Sequence, residues 1–162
     1  MRFFSNIFRF LFLLFVSQTI SSNQKAKLII GRVEKIEFPE WEIAMDARVD
    51  TGAHTCSLHV INEKLIEKGS DKFLEFDTED STGKIYHMRA KIFRMSKVRN
   101  TAGETTQRYV IRQKIKLGGI TRLVNINLND RTELKYNFLI GRNFLRGKFL
   151  VDVSLSHTQE QQ

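Results

Sequence analysis

The sequence predicts an all-β protein with a single folded domain, built as a small barrel or sandwich. Short apolar–polar alternations recur along the chain. Turn signals rich in Gly, Asn, Asp and Ser separate them. The 162 residues, 41% hydrophobic with one proline, suffice for one sizeable core and hardly two. No fixed-period repeat or low-complexity tract breaks the pattern.

Residues 1–22 stand apart from this text. Arg2 and Arg9 precede the apolar run Phe10–Val16, and Ser17, Thr19, Ser21 and Ser22 follow it. A positive start, a short apolar stretch and a small-residue exit are the order of a secretory signal. The stretch is shorter than the roughly 20 residues of a stable span, and no clean Ala-x-Ala site follows. The segment therefore reads as a signal peptide or as an uncleaved signal anchor acting as a membrane tether. In either form it places the folded domain, residues 23–162, outside the cytoplasm, whether periplasmic, secreted or membrane-anchored.

Within the domain, Leu28–Ile36 starts as a buried run and then alternates, and Glu42–Val49 leads as a strand into Asp50. Ile61, Leu65 and Ile66 lie at helical spacing before Gly69, which predicts a short helix over 61–69. Phe73–Phe76 and Tyr86–Met95 flank Asp80-Ser81-Thr82-Gly83, a hairpin signal. Lys97–Arg99 and Arg108–Lys116 flank Asn100-Thr101-Ala102-Gly103, a second hairpin. Leu117-Gly118-Gly119 turns the chain again, and Leu123–Leu128 alternates as a half-buried strand does.

The formal charge is +8, and without Arg2 and Arg9 it is +6. Basic residues are scattered through the strands rather than massed, and read mainly as solvated faces. A membrane surface or an acidic substrate is the lesser reading. No helix-turn-helix or base-stacking platform is present, so no nucleic acid partner is expected. Cys56 is the single cysteine, which rules out an intrachain disulfide.

Two motifs carry chemistry. In Val49-Asp50-Thr51-Gly52-Ala53 an apolar strand runs into an acid, a hydroxyl and a glycine. That order suits a strand ending in a tight turn that presents one carboxylate with nothing bulky beside it. In Phe138-Leu139-Ile140-Gly141-Arg142-Asn143-Phe144-Leu145 a buried strand passes through a glycine into a short helix.

Together these motifs resemble the retropepsin family of aspartic peptidases. The run Val49–His59, Asp130-Arg131 with Lys135-Tyr136, and Phe149–Ser154 narrow the resemblance. They are similar to the bacterial retropepsin-like group often labelled ATP-dependent zinc protease or associated with RimK-type glutamate ligases. The resemblance covers roughly Leu28 to Ser154 and implies a closed β-barrel with one or two short helices. It departs from the group at three positions: His54 replaces an Arg, Cys56 a Ser and Asn137 a Pro.

The resemblance implies that Asp50 is the catalytic acid of an aspartic endopeptidase acting on a peptide or protein substrate. Thr51 would lock two loops together, and Gly52 and Ala53 would line the substrate floor. His54, Gly141 and Arg142 would edge or support the site. An acid that pairs with the equivalent arginine in retroviral enzymes is replaced by His54, which leaves Asp130 and Asp152 as candidate partners of Arg142. A lid is also implied. Counting back from Leu139-Ile140-Gly141 favours the Lys97–Arg108 hairpin, with its tip at Ala102 and Gly103, over the hairpin at 80–83.

Amide hydrolysis by carboxylates needs two of them, one ionised and one protonated. The chain has one Asp-Thr-Gly, so the second acid must come from a two-fold partner, and a homodimer is expected. Two rival readings remain. One is a non-catalytic barrel of the same fold that binds a peptide or partner. The other is a zinc-dependent hydrolase using His54, Cys56 and His59. No His-Glu-x-x-His motif or fourth ligand at a known spacing supports zinc, and no Gly-x-x-x-x-Gly-Lys loop supports nucleotide, so neither metal nor cofactor is expected.

Overall fold

The computed structural model describes residues 26–99, 103 and 105–159. The elements are β1 (Leu28–Ile30), β2 (Val33–Phe38), β3 (Ile43–Val49), β4 (Cys56–His59), β5 (Ile61–Lys68), β6 (Asp71–Glu79), β7 (Ile85–Arg99), β8 (Thr105–Leu117), β9 (Ile120–Asn129), β10 (Phe138–Ile140), α1 (Arg142–Leu145) and β11 (Phe149–Val151). Strand order β2-β3-β10-β4-β9-β8, with β8 pairing back to β2 through Glu37 and Lys116, closes a six-stranded barrel. The sheet continues outward from β8 through β7 and β6 to β5. A separate parallel pair joins β1 to β11.

The barrel strands follow their two-residue period. Ile43, Met45, Ala47 and Val49 of β3 point inward, while Ala44 and Arg48 face solvent. β9 buries Val124, Ile126 and Leu128, and β4, central in the barrel, is buried along its whole length. Phe38 ties the core together, stacking on Trp41 at 5.0 Å and meeting Phe138 edge-on at 5.2 Å. Trp41 also reaches Phe76 of β6, which joins the outer sheet to the same core.

The helix expected over 61–69 is a strand. Residues Lys64–Lys68 of β5 pair with β6, and Ile61 and Leu65 remain substantially exposed, so no buried helical stripe exists. Gly69, at φ +62°, is the turn residue of the β5–β6 hairpin rather than a helix stop. The two stretches expected as separate strands before and after Met95 are one, the 15-residue β7. A β-bulge between Ile92 and Arg94 lets it serve the outer sheet at one end and the β7–β8 hairpin at the other.

The C-terminal residues clasp the barrel. Asp152 N–H donates to Ile30 O, Arg32 N–H to Leu155 O and His157 N–H to Val33 O, at 2.8–2.9 Å. Beneath them Glu34 is fully buried. Its Oε1 accepts from Gly31 N–H at 2.6 Å, Thr158 Oγ1–H at 2.7 Å and Thr158 N–H at 3.2 Å.

Candidate active site

Three strand ends meet at the floor of the site. β10 runs parallel to β3, with Ile140 opposite Val49, and antiparallel to β4. Asp50 leaves β3 with its N–H still bonded to Ile140 O at 3.0 Å. The turn then folds back on its own acid. Asp50 Oδ1 accepts from Gly52 N–H at 2.8 Å and Ala53 N–H at 3.1 Å. One carboxylate oxygen is thus held by two amides, and Oδ2 has no protein partner among the described residues. Such a grip fixes the plane of the carboxylate at the mouth of a cleft. A side chain at Gly52 would stand 3.1 Å from Oδ1, which explains the small residue beside the acid.

The second motif supports the first. A Cβ at Gly141 would lie 2.5 Å from both the carbonyl carbon and the carbonyl oxygen of Thr55. Only glycine lets the two backbones approach so closely. Past that contact, Arg142 N–H donates to Ala53 O at 2.9 Å and Asn143 N–H to His54 O at 3.1 Å. The Arg142 guanidinium donates through Nη1 to Thr51 O at 2.9 Å and Gly52 O at 2.6 Å. Neither expected acid is its partner: Asp130 is engaged by Thr132, and Asp152 by Ser154. Arg142 secures the Asp-Thr-Gly turn by its carbonyls, which needs no acid in the place of His54.

Asn143 is a support the motif reading missed. Its Oδ1 accepts from Cys56 N–H at 3.0 Å and the Cys56 thiol at 3.2 Å, and its Nδ2 donates to Asn125 O at 2.8 Å. The Arg-Asn pair after the glycine was the available signal. A polar residue entering a short helix beside a buried turn has backbone groups to satisfy.

His54, Cys56 and His59 do not converge. His54 is exposed at the cleft edge. Cys56 is fully buried, and burial pushes its thiol up to about 12. His59 Nδ1 accepts from Arg131 N–H at 2.9 Å, which occupies one of its two ligating positions. Among the described residues no group of three or more His, Cys, Asp or Glu side chains is placed to hold a metal. The donor set does not fit a zinc centre.

The cleft in front of Asp50 has a volume of about 890 Å³. The β7–β8 hairpin forms one wall through Arg94, Ser96, Lys97, Val98 and Arg108. Gly103 lies at the tip of that hairpin, and Ala102 lies outside the described residues. The tip at 80–83 packs elsewhere: Asp46 N–H donates to Ser81 Oγ at 2.7 Å, away from the cleft. Leu134 and Leu139 give the cleft apolar walls. On its floor, Ser57 Oγ and Asn127 Oδ1 are buried without a protein hydrogen-bond partner.

Arg131 was quoted in the motif comparison but not expected in the site. It is 8% exposed, with Nε–H donating to Tyr136 O at 3.2 Å, and it lines the cleft with Asp50. Burial pushes its guanidinium below the usual range, the Arg108 charge adds to this, and the Asp50 charge opposes it. The basic residues read as solvated strand faces are in part gathered here: Arg94, Lys97, Arg108 and Arg131 all line one cleft.

A closed six-stranded barrel, an Asp-Thr-Gly turn and a glycine packed behind it define the retropepsin-like class of protein. Residues 29–162 match the family model described as retropepsin-like aspartic endopeptidase RimB. The chain belongs to this RimB-like family. It is also 34% identical over 140 residues to a protein of Shewanella halifaxensis named probable alpha-L-glutamate ligase, covering 84% of this chain and 31% of that protein. A protein of Parasynechococcus marenigrum with the same name is 32% identical, over 81% of this chain and 29% of its own length. The chain therefore spans about a third of the length of these curated relatives. Among solved structures, a Legionella pneumophila protein of unknown function aligns with TM-score 0.69 and 31% identity, over 83% of this chain and 99% of that one.

Proposed function

We propose that the protein is an aspartic endopeptidase whose working site forms when two copies bring their Asp50 residues together. The carrying observation is the Asp50 carboxylate itself, with one oxygen gripped by Gly52 and Ala53 amides and the other without a protein partner at a cleft. It is the single carboxylate among the described lining residues. One acid cannot both take a proton from water and polarise an amide carbonyl. Two Asp50 carboxyls about 3 Å apart cannot both ionise, and the pair then shares the required proton. In this reading one Asp50 takes a proton from the attacking water while its mate donates to the carbonyl oxygen. The roles then reverse as the amine departs.

The cationic cleft and the glutamate-ligase names of the relatives favour glutamate-containing peptides as the substrate class. Export or membrane tethering through residues 1–22 belongs to the same reading. Fractionation of a tagged full-length protein tests that part, and a wholly cytosolic protein with an intact N-terminus would end it.

Asp50→Asn tests the chemistry. It is nearly isosteric and should abolish peptide hydrolysis while folding and dimerisation persist. Wild-type activity should fall on dilution faster than protein concentration does, and the pH–rate profile should be bell-shaped, since the singly protonated pair is the working form. Unchanged turnover in Asp50→Asn, or cleavage by a strict monomer, would refute the reading. A folded dimer that cleaves nothing in a broad peptide library would favour the non-catalytic binding barrel instead.

A further inference from the structure

We propose that Arg131, together with Arg108, is a carboxylate anchor for the substrate, and that two-fold pairing places one such anchor on each side of the scissile bond. The proposal rests on the dimeric reading of the site and adds a rule of specificity: the substrate carries an acidic side chain on both sides of the bond cleaved.

Arg131 is built into the cleft, not draped over it. Its backbone N–H is pinned to His59 Nδ1 at 2.9 Å, and its side chain is held by Nε–H to Tyr136 O at 3.2 Å. The residue as a whole is more than nine-tenths buried, and its terminal nitrogens, open to the cleft, have no protein acceptor among the described residues. A guanidinium with its stem fixed and its fork unfilled is matched by a planar oxyanion, bound through two parallel hydrogen bonds. Arg108, partly buried on the hairpin wall, spends its Nε–H on Thr106 Oγ1 and adds a second charge. The charge of Arg108 pushes the Arg131 guanidinium downward, so the two cations burden each other. An anion lying between them relieves that repulsion and satisfies both forks.

The anion is a carboxylate in preference to a phosphate. The cleft that the proposed reaction assigns to a peptide calls for an anion that peptides ordinarily carry, the Asp or Glu carboxylate. The apolar neighbours Val98, Leu134 and Leu139 suit an extended peptide carrying such a side chain. Because a two-fold axis through an Asp50 pair repeats every other residue, the anchor is repeated too. A peptide lying across the axis meets one Arg131 before the bond and one after it.

The test uses the full-length Asp50→Asn protein, so that binding is read without turnover. Three labelled extended peptides differ only in acid placement: Glu on both sides of the centre, Glu on one side with Gln on the other, and Gln on both. Fluorescence anisotropy should rank them in that order, with about tenfold or more between steps. Adding Arg131→Gln should erase the ranking and leave the Gln peptide unaffected. Arg131→Lys, which keeps the charge and loses the fork, should fall between. If Arg131→Gln fails to fold by circular dichroism, Arg108→Gln must itself compress the ranking.

Equal binding of Glu and Gln peptides would overturn the anchor. So would an Arg131→Gln loss shared equally by all three peptides. A one-sided peptide binding as tightly as the two-sided one would overturn the paired arrangement, and a phosphoserine peptide outbinding the two-sided Glu peptide would overturn the carboxylate assignment. Wild-type protein that ranks the peptides yet cleaves none would leave the anchor standing and remove the peptidase reading. Wild-type protein that cleaves Glu and Gln peptides equally would do the reverse.

Discussion

Replacing Gly141 by alanine inserts one methyl group between two backbones that already touch. The added Cβ would stand 2.5 Å from the Thr55 carbonyl carbon and oxygen and 3.0 Å from Cys56 N. Ordinary contact begins near 3.4 Å, so the two segments must part by about 0.9 Å. All three neighbours are backbone atoms, and no flexible side chain can yield. Overpacking of this kind costs about 1–3 kcal/mol. The parting also stretches Arg142 N–Ala53 O and Asn143 N–His54 O, two bonds worth roughly 1 kcal/mol each. The expected loss is about 3–5 kcal/mol, a large share of a stability on the order of 5–15 kcal/mol.

The assay is urea denaturation followed by tryptophan fluorescence, since the single Trp41 stacks on Phe38 in the core. Gly119→Ala is the matched control. Its Cβ would meet nothing within 4 Å, and its effect should stay within about 0.5 kcal/mol. A Gly141→Ala protein that unfolds at the wild-type midpoint would refute the reasoning, as would a Gly119→Ala protein equally destabilised. If Asp50 is catalytic, displacement by about 1 Å should also lower turnover on the order of a hundredfold.

Three further outcomes are expected. The Cys56 thiol, pushed up to about 12 by burial, should react with iodoacetamide at pH 8 at least two orders of magnitude more slowly than a free cysteine; mass spectrometry of the native protein checks this, and full labelling within minutes would contradict it. Asp80 is held down to about 2 chiefly by Thr82, so its contribution to the 80–83 turn is present above its unfolded value near 3.9 and lost as pH falls toward 2. Hydrogen exchange at Thr82 and Lys84 amides, corrected for intrinsic rate, should accelerate across that window and not between pH 5 and 7. Arg142→Lys keeps the charge but replaces the rigid guanidinium, whose Nη1 serves both Thr51 O and Gly52 O, with a flexible ammonium; amide exchange in the 50–54 turn should rise several-fold while the unfolding free energy changes by about 1 kcal/mol or less.

Much of the barrel was legible because its strands obey a local rule. β3 and β9 alternate, and Asp80–Gly83 and Leu117–Gly119 carry turn residues that work at short range. β5 was misread because Ile61, Leu65 and Ile66 match a helical stripe by spacing. The β6 edge that captures them as a strand is a pairing partner the pattern does not contain. Within the site, Asp50 and Gly141 were legible because each demands an unusual neighbour, a small residue beside the acid and a backbone against the glycine. Arg131 and Arg108 were not. They are 23 positions apart, on a loop and on β8, and closure of the barrel alone brings them to one cleft. Charge counts cannot distinguish four cations in a cleft from four on a surface.

The buried Glu34 sets an order in time. Its carboxyl leaves water on β2, near the start of the domain, yet two of its three close donors belong to Thr158, 124 residues later. Until Thr158 arrives, sealing β2 leaves a buried acid short of donors, a state costing several kcal/mol. A growing chain cannot close this barrel progressively as its strands emerge from the ribosome. Sealing β2 becomes favourable only once the segment around Thr158 is free to reach Glu34.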